Sequence, residues 1–152
     1  MCLCFCCLQR SKVFQPKGNR PSVSKRPHPS EPAMAKSKNR DEFSPATKRA
    51  IERQARGHCS NPACRRLTHA ATSDGAGEIN IGQASHIGAA APGGPRYDAQ
   101  MTSEERAAAD NGIWLCDVHG RAVDAKDSKF TVEELRRWKR QTNEDSWRSV
   151  MH

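Results

Sequence analysis

Two close pairs of metal-type ligands, Cys59 with Cys64 and Cys116 with His119, constrain this chain more than any other feature of its sequence. Thiolates and imidazoles with two to four residues between them can close around one tetrahedral zinc, so pairs from two distant segments staple those segments together. Any compact fold must then bring residues 59–64 against 116–119. His58 and His69 lie beside the first pair as alternative ligands. His86 sits alone between the pairs, where such a scaffold can hold it for metal-assisted chemistry. The staple also meets a need for stability, because a domain with few aromatic residues and a middle rich in Gly and Ala gains much from a structural metal. The competing reading makes the three cysteines small buried hydrophobes and His119 a surface residue.

Charge divides the chain. Residues 1–40 hold nine Lys or Arg against the single acid Glu31, with prolines at 16, 21, 27, 29 and 32, whereas from Asp41 onward sixteen basic residues face sixteen acidic ones. The formal charge of +8 therefore comes from the first segment alone, and the high pI says little about nucleic-acid binding by the rest. A segment so poor in aliphatic residues after Phe14 cannot offset its ordering entropy, and is expected to be disordered. Its first eight residues carry four of the seven cysteines, in a run too short to span a bilayer and unlike a signal peptide. Acylation of that cluster is one reading. The favoured one is that translation starts at Met34. Cys59, Cys64 and Cys116, odd in number and metal-like in spacing, suit a reducing cytoplasm better than a disulfide framework.

Local signals between residues 41 and 145 describe an α+β domain, followed by a short C-terminal tail at 146–152. Ser44 and Pro45 start a helix that runs over Ala46–Arg56 and stops at Gly57. Asn61 and Pro62 turn the first ligand pair. Glu78 to Ile81 alternates and leads into a strand ending at His86 and Ile87. Gly88–Asp98 reads as loop, Thr102–Ala109 as a short helix, and Ile113–Leu115 as a strand running into Cys116. Thr131 and Glu134 form a capping box for a last helix whose Val132, Leu135 and Trp138 share one face.

Ala84-Ser-His-Ile87, Gly93-Gly-Pro-Arg-Tyr97, Met101–Arg106, Asn111-Gly-Ile-Trp-Leu-Cys116, Val123-Asp124 and Leu135–Lys139 together resemble the HNH endonucleases of bacteria and phages, over about residues 40–142. The resemblance implies a small zinc-stapled ββα-metal domain, a hairpin and helix gripping a catalytic metal, with flanking helices. By position it makes His86 the general base that activates water. Asn111 becomes the asparagine that bonds across the loop, and Asp124 a ligand of the catalytic ion. Two positions depart from the family pattern: Ser85 stands where an acid or histidine often binds metal, and Gly120 where a histidine commonly follows the second pair. Asp124 is then the one clear protein ligand, with water, phosphate or Ser85 completing the shell.

The chemistry follows from the residues as well. Phosphodiester hydrolysis needs a base for water and a cation for the charge growing on phosphate and leaving oxygen. Histidine titrates near neutrality, and a hard carboxylate suits magnesium or manganese, so zinc would fix the scaffold while a second ion arrives with substrate. Arg96, and the run Arg136, Arg137, Lys139 and Arg140 around Trp138, are candidate phosphate contacts or solvated faces. The leading expectation is a metal-dependent DNA endonuclease of host defence or a mobile element, without a small-molecule cofactor. The alternatives are a zinc module that binds nucleic acid without turnover, and an adaptor domain whose partner is a protein.

Overall fold

The computed structural model describes residues 40–152. The expectations of a disordered tail, acylated N-terminal cysteines and a start at Met34 fall outside those residues. Helix α1 (Pro45–Gln54) begins as its sequence predicts: the Ser44 hydroxyl accepts a hydrogen bond from the Thr47 amide at 3.0 Å, and Pro45 takes the first helical position. The chain leaves α1 through Arg56 and Gly57, at φ of 50° and 68°. A Cβ at residue 57 would also lie 2.3 Å from the His69 ring, so conformation and space both require glycine there.

The stretch expected as one strand before His86 is divided between two sheets. Strand β1 (His69–Ala71) pairs antiparallel with β2 (Glu78–Asn80), and β3 (Gly82–His86) pairs antiparallel with β4 (Gly112–Cys116). Ile81 makes the break, its amide donating to the Thr68 carbonyl and its carbonyl accepting from Asp117. The Asn80 side chain bends the backbone there by accepting from the Gly82 amide at 2.7 Å, a local bond that competes with a continuous ladder.

Strand β4 is buried throughout, and its alternation separates two apolar clusters. Ile113 and Leu115 pack with Ile87, Val123, Leu135 and Trp138, while Trp114 packs on the opposite side with Phe43, Ile51 and Ala55 of the α1 region. The β3–β4 pair thus lies between α1 and the helices α3 (Asp117–Asp124) and α4 (Val132–Met151). A short α2 (Ser103–Ala107) and one 3-10 turn at Ala109–Asn111 fill the connection before β4, where a single helix to Ala109 was expected. The described part is therefore a mixed fold of four helices and two small antiparallel sheets.

Capping differs in detail from expectation. The reciprocal box closes at α2, where Thr102 and Glu105 exchange bonds of 2.8 and 3.2 Å. At α4 the Thr131 hydroxyl accepts from the Glu134 amide at 3.1 Å, the forward half of a box. Leu135, Trp138 and Thr142 form the buried face of α4, which continues through Met151, so the segment set apart as a C-terminal tail is helical. Among the described residues no helix is long and apolar enough to cross a membrane.

Candidate metal centre and candidate active cleft

The two ligand pairs meet at the Gly82–Cys116 end of the β3–β4 pair. Their four donor atoms lie within 4.8 Å of one another. Asn61 shapes the first pair, accepting from the amides of Ala63, Cys64 and Arg65, while the Ser60 amide ties the loop to the Trp114 carbonyl at 2.9 Å. Cys116 ends β4, and His119 follows in the first turn of α3, so a strand-to-helix junction supplies the second pair. His119 Nδ1 stands 3.2 Å from Cys116 Sγ and 3.6 Å from Cys59 Sγ. Zinc bonds of ~2.3 Å to sulfur and ~2.0 Å to nitrogen, at tetrahedral angles, require about 3.5 Å.

Burial pushes the Cys59 thiol up to about 12, with the neighbouring Cys116 and Cys64 adding to it and the Cys116 and Asn61 amides opposing it. Cys116 lies below the usual thiol value: burial acts upward, but the His119 and Val118 amides and the other two thiols outweigh it. Thiols crowded in this way become favourable once a soft-tolerant divalent cation neutralises them, and three sulfurs with one imidazole nitrogen fit a metal such as zinc. Neither alternative histidine joins them. His58 Nδ1 is 2.9 Å from the Arg56 carbonyl, and His69 Nδ1 is 3.1 Å from Glu52.

The opposite end of the strand pair, where His86 faces Gly112, borders a cleft of about 290 Å³. His86, Asp124, Arg40, Arg96 and the turn 89–95 line it. His86 is 6% exposed, its ring stacked on Phe43 with centroids 3.8 Å apart and planes 7° from parallel. Nε2 lies 3.0 Å from the Asp41 carbonyl, which can only accept, so neutral His86 carries its proton on Nε2 and leaves the Nδ1 lone pair free. Burial holds the imidazole below its usual pKa, partly opposed by the Asp41 carbonyl and Glu42 and reinforced by Arg40 and Lys48.

Asp124 ends α3 at the open rim of the cleft. Desolvation raises its carboxyl above the ordinary range, against the Ser85 hydroxyl and the charges of Arg96 and Arg40. Ser85 is buried and donates to Asp124 Oδ2 at 3.3 Å, so these two oxygens are neighbours. Asn111 bonds across the loop: its side chain accepts from the Gly88 amide at 2.8 Å and donates to the carbonyls of Gly88 and Arg106 at 2.9 and 3.0 Å. Gly120 is buried under Gln83, whose Nε2 would lie 2.0 Å from a Cβ at that position. The space for a histidine side chain is therefore filled from the facing strand.

Two of the candidate phosphate contacts bond to backbone carbonyls. The Arg96 guanidinium, at a residue with φ of 62°, donates to the carbonyls of Ile87, Val123 and His86 at 2.7, 2.9 and 3.2 Å, tying the end of β3 to the end of α3. Lys139 donates to the carbonyls of Ala109, Asp110 and Gly112 and so caps the 3-10 turn. Arg136, Arg137 and Arg140 stay exposed on α4 outside the cleft, with Arg136 and Arg140 beside Asp110.

Sequence reasoning missed Arg40 on the cleft wall and the two residues that cover His86, Asp41 and Phe43. The one signal for them was the position of Phe43 immediately before the helix cap, where an apolar residue often fixes the entering chain. Compared with known proteins, the chain matches no protein-family model and no curated protein.

Proposed function

We propose that this chain is a metal-dependent HNH-type endonuclease that hydrolyses phosphodiester bonds in DNA, with β3, β4 and α3 as its ββα-metal unit. The observation that carries the reading is the state of His86. A neutral imidazole with Nε2 bound to a carbonyl keeps Nδ1 as its basic atom, in a cleft shared with the carboxylate of Asp124.

In this reading His86 Nδ1 takes the proton from the attacking water. Its lowered pKa keeps the ring neutral and ready to accept at physiological pH. Phe43 fixes the ring plane, and Asn111 holds the loop on which the strand of His86 ends. Asp124 and Ser85 are the oxygens that would hold a magnesium or manganese ion, and two protein oxygens suit an ion that keeps waters and arrives with phosphate. That ion would supply charge stabilisation at the phosphate and the leaving oxygen. Arg40, at the cleft wall, is a basic group in reach of a bound phosphate.

A second reading has one observation in its favour. Gln83 occupies the place of a further ligand at 120, and Ser85 replaces another, which suits a zinc module that binds nucleic acid without turnover. Incubating the zinc-loaded protein with plasmid DNA and magnesium, manganese or chelator separates the two. Cleavage that requires added metal and disappears in a folded His86→Ala variant supports the nuclease. Salt-sensitive DNA binding without cleavage under any divalent ion supports the binding module, and no affinity for DNA at moderate salt leaves the adaptor.

A further inference from the structure

Two residues of the segment Arg40–Phe43 contact His86, Asp41 through its carbonyl and Phe43 through its ring. Asp41 acts in three directions. Its amide donates to the Ala90 carbonyl at 2.9 Å, its carbonyl accepts from His86 Nε2 at 3.0 Å, and its carboxylate accepts from Arg106 Nε and Ser103 Oγ, both at 2.7 Å. Two residues later Phe43 lies flat against the same imidazole. Arg106 is in turn fixed on both sides, its guanidinium bonded to the carbonyls of Met101 and Asp98 and 5.6 Å from the Tyr97 ring centroid, its own carbonyl accepting from Asn111.

We infer that Asp41, Arg106 and Ser103 form a latch that holds this segment as a strap over His86, and that the latch selects the ring nitrogen of His86 that carries the proton. The three are positioning residues: they act through the Asp41 carbonyl, which can pair only with an N–H. With the strap closed, the Nδ1–H tautomer would turn an unprotonated Nε2 toward a carbonyl oxygen, two acceptors face to face. With the strap released, nothing on that side distinguishes the tautomers, and the ring also loses the Phe43 face that fixes its plane. Packing alone does not explain the arrangement, because the Phe43 ring is already buried in the α1 cluster, whereas the Asp41–Arg106 ion pair is a separate, half-buried contact with α2.

The inference rests on the nuclease reading for its purpose but not for its test. Long-range nitrogen–proton NMR of the histidine rings, on the 15N-labelled zinc-loaded protein at a pH where His86 is neutral, reports the tautomer directly. The wild-type ring is expected as Nε2–H with a bare Nδ1; an Nδ1–H spectrum overturns the proposal. In a folded Arg106→Ala variant the two ring nitrogens should move toward averaged shifts, and Arg106→Lys should recover part of the wild-type pattern. Unchanged shifts in Arg106→Ala overturn the latch. If Arg106→Ala fails to fold, Asp41→Asn, which keeps the strap's shape and removes its charge, carries the same two outcomes. Where the protein cleaves DNA, the folded variant should lose about tenfold or more in kcat with KM nearly unchanged, the share expected when a general base is misoriented. A protein that never cleaves but shows the predicted tautomer shift removes the nuclease reading and keeps the latch.

Discussion

The two ends of the β3–β4 pair carry different kinds of site. At the Gly82–Cys116 end, four side-chain donors converge on one point and the backbone merely delivers them. At the Gly112–His86 end the arrangement runs the other way: backbone carbonyls of Asp41, His86, Ile87, Gly88 and Val123 receive bonds from His86, Arg96 and Asn111, and side chains pin down main chain. The first arrangement can concentrate stability in one bound metal. The second spreads it over many moderate hydrogen bonds, which hold a geometry in place and each contribute little.

The sharpest way to break that contrast is at the metal. Cys116→Ser or Cys59→Ser should unfold the domain, since structural zinc can contribute about 10–16 kcal/mol, as much as a domain's whole stability. Far-UV circular dichroism and zinc content, with and without chelator, measure this; full helicity without zinc would place the stability elsewhere.

A smaller loss is expected at the cleft. Asn111→Ala leaves the Gly88 amide and carbonyl buried without their partner, at a cost of about 2–4 kcal/mol in denaturant unfolding, with zinc retained. Loss of zinc in this variant would mean that the two ends are one cooperative unit.

Gly82→Ala probes the strand that joins them. A Cβ there would lie 2.4 Å from the Trp114 ring and 2.7 Å from Thr68 Oγ1, disturbing the 2.9 Å bond between Trp114 Nε1 and that hydroxyl. Overpacking of this kind costs about 1–3 kcal/mol, readable from the unfolding midpoint.

The smallest effect concerns pH. Because burial lowers the pKa of His86 in the folded state, the unfolded chain binds its proton first as pH falls. Its share of stability is complete above the ordinary imidazole value of about 6.5 and declines as pH falls below it. Unfolding free energy followed through that window should fall more steeply in the wild type than in His86→Gln. Equal slopes would mean that His86 titrates normally.

How much could be read in advance follows the same division. Cys59, Cys64, Cys116 and His119 were legible because metal ligation restricts both residue type and spacing, and the structure brings those four together. The start of α1 and the buried face of α4 were legible from a cap, a proline and a period. The roles of Arg96 and Lys139 were not, since an arginine in a loop or a lysine on a charged helix looks the same whether it meets phosphate, water or a carbonyl. Strand β1, the break at Ile81 and helix α3 also escaped. Ala70 and Ala71 have weak strand preference, and α3 contains Gly120, so partners distant in sequence stabilise both elements.

The sequence by itself determined which side chains could ligate a metal and where two helices begin. Only the tertiary structure decided that Nε2 of His86 is occupied, that Gln83 fills the place beside Gly120, and that Asp41 and Phe43 close over the imidazole. The reason is physical. Ligand chemistry and capping depend on residue type at short range, whereas a backbone carbonyl is present at every residue and becomes specific only when the fold aims it at a partner.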